Sequence, residues 1–417
     1  MKVFKFGGAS IKDASSVRNV TQILKNQGTE NCLLVISAMG KMTNAFEEVV
    51  NAYCYQSRLV SEKLDVVSKF HLEMVNNLFE DRYPAREQVE ILLGKLSGFL
   101  AQNTSRDYDY LYDQIVSYGE LLSTTIVSMY FTEVGIQNTL NDVRELILTN
   151  CSYRDASVDW KATQHAIATK MDAGQLNVVQ GFLGGTSQGT TTTLGREGSD
   201  YTAGIFAYCM DAESVTIWKD VSGVLNADPR VFEKTLLLEQ ISYEETIEMA
   251  FYGASVIHPK TIQPLQSKEI PLYVRSFKDQ NIKGTKVSRG VAIHPLTPCF
   301  IVKKNQILVS ISTLDFSFMV EDNISDIFKK LHDYQLKVNL IQNSAISFSV
   351  CVDNKFNHFD AFYKQLAASY KVNFVKDVDL YTVRHFTNEA LQTIKSKGNS
   401  LLTQINTETA QIVIQKK

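Results

Sequence analysis

The spacing of apolar residues changes along the chain, and the change separates two kinds of structure. Up to residue 290, short apolar runs alternate with longer segments of helical periodicity, which is typical of an α/β fold with a largely parallel sheet. Helical periodicity extends over residues 42–135, with Pro84 and the pair Gly94 and Gly98 as the main predicted interruptions. Strands are predicted at 2–6, 31–37, 176–184, 214–220 and 270–276.

A segment with two prolines and no periodicity, residues 290–299, marks the predicted domain boundary. Beyond it the signals are shorter, with strands predicted at 306–313, 337–343, 346–353, 372–386 and 400–415, and helices at 324–334, 355–370 and 388–398. Two βαββ-like units of about 60 residues each predict a pair of small α+β modules rather than a second enzyme. We therefore expect one α/β domain over residues 1–293 and the paired modules over 299–417, divided near 366–372.

Composition and charge argue against several classes of protein. The net charge is -3 and no dense basic run occurs, so no nucleic-acid partner is expected. The cysteines lack CxxC spacing, which argues against a disulfide framework and against a zinc site. No window reaches the ~18 apolar residues of a membrane span, and the N-terminus lacks the pattern of a signal peptide. We expect a soluble cytoplasmic protein that is not bound to a membrane.

The first candidate site is the sequence KFGGAS at residues 5–10, at the end of the first predicted strand. Gly7 and Gly8 suit an ordinary tight turn. They also suit a loop whose bare backbone N–H groups hold a phosphate at the start of a helix. Lys5 favours the phosphate, because a lysine at the end of a buried strand is otherwise unexplained.

Two further segments leave a structural and a functional interpretation open. In VISAMGKMTN, residues 35–44, either Thr43 or Asn44 caps the next helix, or the hydroxyl groups of the turn face a ligand at the carboxyl edge of the sheet. In VSYGELLST, residues 116–124, Glu120 either lies on a solvated helix face or points into a pocket and pairs with the ammonium group of a ligand.

The segment LGREGSDYTA, residues 194–203, points more clearly to function. Ser199 suits the cap of a helix that carries Asp200 in its first turn. Capping leaves Arg196 unexplained, and the planar guanidinium group of an arginine is suited to a carboxylate or a phosphate. A binding role is therefore favoured for this segment.

Two later segments complete the candidate set. WKDVSGVLNADPR, residues 218–230, follows a strand, and its Asp-Pro-Arg turn at 228–230 is either an ordinary turn or part of a loop over a nucleotide. Lys260 follows Pro259 in the first turn of a helix, where the helix dipole disfavours a lysine unless an anion binds there. The whole set suits a nucleotide phosphate and a carboxylate, with Mg²⁺ between the phosphates, and phosphoryl transfer is the favoured chemistry.

Six segments, in their order along the chain, resemble the aspartate kinases, members of the amino acid kinase family with two C-terminal ACT regulatory domains: KFGGAS, VISAMGKMTN, SYGELLS, LGREGSDYTA, WKDVSGVLNADPR and EMAFYGASVIHPKTIQPL. The resemblance implies the amino acid kinase fold followed by two α+β ACT domains. It also implies Mg²⁺-dependent transfer of the γ-phosphoryl group of ATP to the β-carboxylate of L-aspartate, the first step toward lysine, threonine and methionine. Because the chain ends at Lys417, we expect a monofunctional kinase without a fused homoserine dehydrogenase.

The resemblance implies a role for each candidate residue. Lys5 and Lys260 would neutralise the transferring phosphate, and Asp200 would organise them. Arg196 would bind the α-carboxylate of aspartate and Glu120 its ammonium group. The remaining residues are assigned to substrate contacts through hydroxyl groups (Ser37, Thr43, Ser199) and to the nucleotide (Gly7, Gly8, Ser10, Lys219, Asp220, Asp228, Arg230, and again Lys260). Mg²⁺ would be held by the ATP phosphates without a direct protein ligand.

Two residues of the kinase segments depart from the family pattern. Ala9 stands where threonine is usual, which removes a hydroxyl group near the phosphates. Glu197 stands where glycine is common, which adds a negative charge beside Arg196. Since the lysines, the arginine and Asp200 are kept, we expect activity to survive.

The predicted regulatory modules, residues 299–417, depart further from the family pattern. Asn339 stands where lysine-sensitive relatives carry an aspartate that meets the ammonium group of the effector, and Asp322 stands where a glycine often opens the effector site. Ser344 is retained. An amide at this position suits threonine or a similar neutral amino acid better than lysine. Alternatively, the site is vestigial. The choice between lysine and threonine as effector therefore stays open. ACT domains usually pair across chains, and a homodimer is therefore expected.

Two alternative functions are kept. One is a kinase for another carboxylate such as glutamate, which would differ only in the pocket around Arg196 and Glu120. The other is a non-catalytic amino-acid sensor derived from a kinase. The chain keeps the residues that a decayed site would be expected to lose, which argues against the sensor: Lys5, Arg196, Asp200 and Lys260.

Overall fold

The computed structural model describes residues 1–172, 174–254, 257–315 and 317–416. The chain forms two compact units, and each is described by itself. The first consists of Met1–Val224, Leu237–Ile247 and Ile257–Ile293, and the second of Leu225–Leu236, Glu248–Val256 and His294–Lys417. None of the described helices is both long enough and apolar enough to cross a lipid bilayer.

Among its described residues, the first unit is built on an eight-stranded sheet and a short hairpin. The strands are β1 (Lys2–Phe6), β2 (Cys32–Ile36), β3 (Thr139–Asn141), β4 (Asn177–Gln180), β5 (Leu183–Gly185), β6 (Thr191–Thr193), β7 (Ser214–Lys219), β8 (Gln240–Ser242), β9 (Leu272–Ser276) and β10 (Thr285–Ser288). The sheet order is β3-β4-β2-β1-β7-β9-β10-β8, with β9 and β10 antiparallel and the other neighbours parallel. β5 and β6 form the antiparallel hairpin. The predicted largely parallel sheet is confirmed.

The helices up to residue 267 are α1 (Ala14–Gln27), α2 (Met42–Tyr55), α3 (Val60–Leu78), α4 (Tyr83–Gln102), α5 (Tyr108–Val116), α6 (Tyr118–Glu133), α7 (Trp160–Lys170), α8 (Gly198–Cys209), α9 (Tyr243–Tyr252) and α10 (Pro259–Ser267). The predicted helical stretch 42–135 is divided into α2 to α6. Pro84 lies at the start of α4, where its missing N–H is not needed. Gly94 and Gly98 lie inside α4, so the prediction that they interrupt the helix was wrong.

The core of the first unit lies on the sheet. Phe6 and Trp218, from neighbouring strands β1 and β7, stack with their ring centroids 5.9 Å apart. Leu34 and Ile36 of β2 belong to the same buried cluster. Every residue of β2 is buried, which explains its continuous apolar run. This packing fixes the carboxyl ends of β1, β2 and β7 side by side.

The second unit has, among its described residues, a six-stranded antiparallel sheet in the order β12-β13-β11-β14-β16-β15. Its strands are β11 (Cys299–Ser312), β12 (Lys337–Asn343), β13 (Ser347–Asp353), β14 (Lys371–Arg384), β15 (Gly398–Ile405) and β16 (Thr409–Lys416). Its helices are α11 (Glu321–Asp333), α12 (Phe359–Leu366) and α13 (Asn388–Lys395).

The two long strands β11 and β14 belong to both halves of this sheet. The pairing of β11 with β14 slips between Lys303 and Gln306 and again between Gln306 and Leu308, which divides each strand into two parts. The sequence predicted the second part of β11 alone, because polar residues at the slip interrupt the apolar pattern. The range 366–372 runs from the last residue of α12 to the first two residues of β14.

Candidate active site

Two lysines and one aspartate meet at the carboxyl edge of the parallel sheet. Lys5 is near the end of β1 and Lys219 ends the neighbouring β7. Asp200 lies in the first turn of α8, with Oδ1 2.6 Å from Nζ of Lys5 and Oδ2 3.6 Å from Nζ of Lys219. The Asp200 side chain is only 4% exposed and that of Lys5 12%. The three charged groups form a compact cluster in a largely dry environment.

The charge balance of this cluster favours an anionic ligand. Burial raises the pKa of Asp200, but the charges of Lys5 and Lys219 outweigh burial and hold the pKa below its usual value. The carboxylate is therefore ionised at neutral pH. The cluster presents two ammonium groups at one edge of the sheet, and such groups suit the phosphates of a nucleotide.

The first glycine turn approaches the turn after β2 so closely that a side chain has no space. A Cβ on Gly8 would lie 2.7 Å from O of Gly40 and 2.8 Å from O of Ala38. N of Gly40 also donates to O of Gly8 at 3.0 Å. The hydroxyl group of the buried Ser10 donates to O of Gly7 at 2.6 Å, so it stabilises the turn itself. Gly7 lies under Lys5, whose Nζ would be 3.2 Å from a Cβ at Gly7.

We expect Gly8→Ala to destabilise the protein by about 2 kcal/mol, because backbone atoms on both sides must move to admit the methyl group. Gly94→Ala is the matched control, since a Cβ there meets nothing within 4 Å, and alanine in a helix interior stabilises by about 0.5–1 kcal/mol. Urea unfolding of both variants measures the two free energies. A Gly8→Ala protein as stable as wild type contradicts the close approach of the two turns.

Glu120 is buried beneath the second turn. Its side chain is in the first turn of α6 and the residue is 2% exposed, so the solvated-face interpretation was wrong. Oε1 accepts from N of Ala38 at 3.2 Å, and Oε2 has no hydrogen-bond partner among the described residues. Burial raises the pKa of Glu120 to about 8. An unpartnered buried carboxylate oxygen is suited to an ammonium group supplied by a ligand.

Ser37 and Thr43 flank this turn and are half-buried. Ser37 follows β2, and its carbonyl oxygen accepts from Oγ of Ser123 in α6 at 2.6 Å. Thr43 lies within the first turn of α2, and the N-cap is Lys41. The interpretation of Thr43 or Asn44 as the cap was therefore wrong.

The turn before α8 carries Arg196, which is exposed and forms no ion pair with any described residue. Ser199 is buried within the first turn of α8, so its predicted role as the cap was wrong. The N-cap is Glu197, whose side chain does not cap the helix. Arg196 is thus available for a ligand, while Ser199 lies on the inner side of the turn.

Lys260 lies in the first turn of α10, as predicted, but its ion pair is with Asp155. The Lys260 side chain is 39% exposed and that of Asp155 68%. The anion expected near this lysine is therefore supplied, in this structure, by the protein. Sequence reasoning missed Asp155, because it lies in a loop without any periodic pattern.

The remaining nucleotide-site candidates belong to different units. Asp220 is exposed directly after β7 in the first unit. Asp228 and Arg230 belong to the second unit and pair with each other, NH2 to Oδ2, at 2.7 Å. Hydrogen bonding to Arg230 lowers the pKa of Asp228. Their predicted place over a nucleotide stays a prediction.

A supporting aspartate was also missed. Asp113 in α5 is fully buried and accepts from N and Oγ1 of Thr193, at 2.8 and 2.7 Å, and from N of Arg154 at 3.0 Å. Burial raises its pKa to about 6, although these hydrogen bonds act to lower the pKa. It anchors the hairpin strand β6 that leads into the Arg196 turn. An aspartate among apolar residues of a predicted helix was the available signal.

The geometry can be compared with known proteins. The model of the amino acid kinase family matches residues 1–276. Lysine-sensitive aspartokinase 3 of Escherichia coli is 32% identical over 357 residues, which cover 84% of this chain and 78% of that protein. The chain belongs to the aspartokinases, within the amino acid kinase family. Aspartokinase 1, chloroplastic, of Arabidopsis thaliana is 29% identical, and the match covers 63% of its length. The bifunctional aspartokinase/homoserine dehydrogenase of Daucus carota is matched over 42% of its length.

Solved structures agree with this membership. Escherichia coli aspartokinase III in complex with lysine and aspartate aligns with a TM-score of 0.83 at 28% identity, over 99% of this aspartokinase and 96% of that chain. Aspartate kinase of Clostridium acetobutylicum aligns with a TM-score of 0.81 at 21% identity, which supports the fold alone. The predicted fold class, an amino acid kinase fold followed by two α+β ACT domains, is confirmed.

The predicted effector residues lie in the second unit. Asn339 is at a slip in the pairing of β12 with β13. Both the nitrogen and the oxygen of its side-chain amide form hydrogen bonds. Its Nδ2 donates to Oε1 of Gln306 at 2.7 Å, and its Oδ1 accepts from Nζ of Lys303 at 2.8 Å. Burial, followed by the charge of Lys337, lowers the pKa of Lys303 to about 8. Ser344 is exposed and lines a cavity of about 350 Å³.

Proposed function

We propose that this aspartokinase transfers the γ-phosphoryl group of ATP to the β-carboxylate of L-aspartate, giving 4-phospho-L-aspartate. The observation that carries the proposal is the buried cluster of Lys5, Asp200 and Lys219 at the carboxyl edge of the sheet. Ligands of open α/β sheets bind at this edge. Phosphoryl transfer requires positioning and charge neutralisation rather than covalent help from the protein, and the cluster is suited to both.

The nucleotide is assigned to the first glycine turn and the lysines. Lys5 and Lys219 would face the phosphates, with Asp200 holding both ammonium groups in place. Gly7 leaves the space beside Nζ of Lys5 free for the phosphates because no Cβ intervenes, and Gly8 lets the turn pack against the turn after β2. Lys260 would leave Asp155 and bind a phosphate oxygen when the nucleotide is present.

The acceptor, L-aspartate, is assigned to the turn after β2 with the buried Glu120 beneath it, and to the turn before α8. Glu120 would pair with the ammonium group of aspartate through its unpartnered Oε2. Arg196 would bind the α-carboxylate in a two-pronged geometry, while Ser37, Thr43 and Ser199 supply hydroxyl contacts. The β-carboxylate of aspartate is ionised at pH 7, so the attack needs no general base.

Mg²⁺ is proposed as the cofactor, bound to the ATP phosphates. In general Mg²⁺ keeps several of its waters and binds substrate phosphates, with at most one or two protein carboxylates. When bound, Mg²⁺ neutralises charge that develops on the phosphates. Asp200 is engaged by two lysines, and its proposed task is to hold them.

We further propose an amino-acid effector for the second unit, a homodimer through the ACT domains, and a cytoplasmic location. Escherichia coli aspartokinase III was crystallised with lysine, but Asn339 in this chain is an amide that is already bonded to Lys303 and Gln306. A neutral effector such as threonine therefore fits better than lysine, because a cationic side chain would meet the ammonium group of Lys303.

The proposed function is tested by ADP formation from Mg·ATP with a set of acceptors. L-aspartate should support turnover, N-acetyl-L-aspartate should fail because it lacks the ammonium group for Glu120, and L-glutamate should be a poor acceptor. Efficient turnover of L-glutamate would identify a kinase of another carboxylate. Binding of an amino acid without ADP formation would identify a sensor.

A further inference from the structure

Glu197 has a backbone conformation that glycine adopts more readily. Its φ is 55°, within the left-handed region that disfavours residues with a Cβ. It lies between Arg196 and the first residue of α8, so its backbone sets the direction of the turn that carries the guanidinium group. A glutamate that persists in this conformation requires a stabilising contact elsewhere.

That contact joins Glu197 to a segment distant in the sequence. Oε2 of Glu197 accepts a hydrogen bond from N of His258 at 3.0 Å. His258 is the N-cap of α10, and its Nδ1 in turn accepts from N of Lys260 at 3.2 Å. The Glu197 carboxylate therefore lies at the positive end of the α10 dipole, directly ahead of the turn that carries Lys260.

A second carboxylate, that of Asp155, lies between the same turn and the same helix. Asp155 forms the ion pair with Lys260 and also lies against Gly195, where a Cβ would collide with Oδ1 of Asp155. Gly195 has a φ of 78° and precedes Arg196. The turn with Arg196 is thus joined to α10 by the hydrogen bond of Glu197, and its Gly195 packs against Asp155, the ion-pair partner of Lys260.

We propose that Glu197 is a positioning residue of the phosphoryl-transfer site. By holding the N-terminus of α10, it fixes the distance between Arg196 and Lys260. The inference rests on the proposed function, in which Arg196 binds the acceptor and Lys260 a phosphate of the donor. Transfer requires the attacking oxygen and the phosphorus to be aligned. Small displacements of Arg196 or Lys260 therefore slow the transfer strongly. The charge of Glu197 is engaged with α10, so it does not act as a free negative charge beside Arg196.

Three variants separate this role from a purely structural one. Glu197→Gly relieves the left-handed backbone and removes the hydrogen bond to His258. Glu197→Gln keeps an acceptor oxygen in place. Glu269→Gly is the matched control, because Glu269 is also left-handed, with a φ of 57°, and its side chain pairs with Arg289 instead.

The expected result is a kinetic loss without a loss of stability. Glu197→Gly should lower kcat/KM for aspartate about tenfold, with the larger part in kcat, because alignment rather than ground-state binding is lost. Its melting temperature should equal or exceed that of wild type. Glu197→Gln should keep kcat/KM within about twofold, and Glu269→Gly should leave both kinetic constants unchanged.

Two results would overturn the proposal. One is a Glu197→Gly enzyme with the kcat/KM of wild type, and the other is an equal loss in Glu269→Gly. Amide hydrogen exchange at His258 tests the contact without any activity assay. Faster exchange in Glu197→Gly than in wild type and in Glu197→Gln supports the contact, and unchanged exchange contradicts it. If the wild-type protein forms no ADP with aspartate while the exchange result holds, the proposed function fails and the contact stands.

Discussion

Replacing Asp200 with alanine is expected to lower kcat by about three orders of magnitude, the upper range for removing one preorganised electrostatic group. Asp200 balances Lys5 and Lys219, and its own side chain is only 4% exposed. Without it, two ammonium groups repel each other at the phosphate site, and both lose the carboxylate that lies between them. Loss of one partner from a buried ion pair also costs about 3–5 kcal/mol of stability, so kcat and the free energy of unfolding are measured together.

Asp200→Asn separates the two effects, because the amide preserves the shape of the side chain and removes its charge. It should fold, and it should still lose most of kcat. Glu145→Ala is the control for the loss of an ordinary ion pair, since Glu145 and its partner Lys170 are 67% and 49% exposed. An exposed pair contributes about 0–1 kcal/mol. An Asp200→Asn enzyme that folds and keeps the kcat of wild type contradicts the role of the cluster.

Aspartate binding is expected to strengthen as the pH rises toward 8. The pKa of Glu120 is raised by burial to about 8, so below that pH the unliganded protein carries mostly the neutral acid. Pairing with the ammonium group of aspartate requires the carboxylate. The dissociation constant should therefore fall about tenfold per pH unit between pH ~6 and ~8 and level off above it. Calorimetric titration at several pH values measures the slope and the proton released.

Glu120→Gln is expected to weaken aspartate binding about 100-fold, which is about 2.8 kcal/mol at tenfold per 1.4 kcal/mol, and to remove the pH dependence. Glu133→Gln makes the same substitution at the exposed end of α6 and should change neither quantity. A Glu120→Gln protein that keeps both the affinity and the pH slope of wild type would rule out the assigned pairing with the ammonium group.

The central part of the site is predictable from the sequence because its residues occupy defined positions on regular elements. Lys5 and Asp200 were placed near a strand end and in a helix start, and parallel strands bring such positions to one edge. Glu120 was recognisable as unusual because it lies in an apolar helix. Periodicity alone could not exclude that its side chain lies on a solvated helix face. Burial beneath a neighbouring turn decides between the two, and burial depends on tertiary packing.

The contacts that the sequence did not predict involve residues in loops. The ion pair of Lys260 with Asp155 and the hydrogen bond from N of His258 to Glu197 each join segments that are far apart in the sequence. No spacing rule relates such positions. The sequence also did not predict that the 228–230 turn belongs to the second unit. A local turn motif does not specify the unit against which it packs.

The most direct test of the proposed activity is to trap the acyl phosphate. Purified protein is incubated with Mg·ATP, L-aspartate and hydroxylamine, and the hydroxamate is quantified with and without lysine or threonine. Formation of aspartyl hydroxamate that requires ATP is the predicted result, with inhibition by threonine rather than lysine if the effector assignment is correct. A folded protein that binds ATP and forms no aspartyl hydroxamate would contradict the assignment of this site to aspartate phosphorylation.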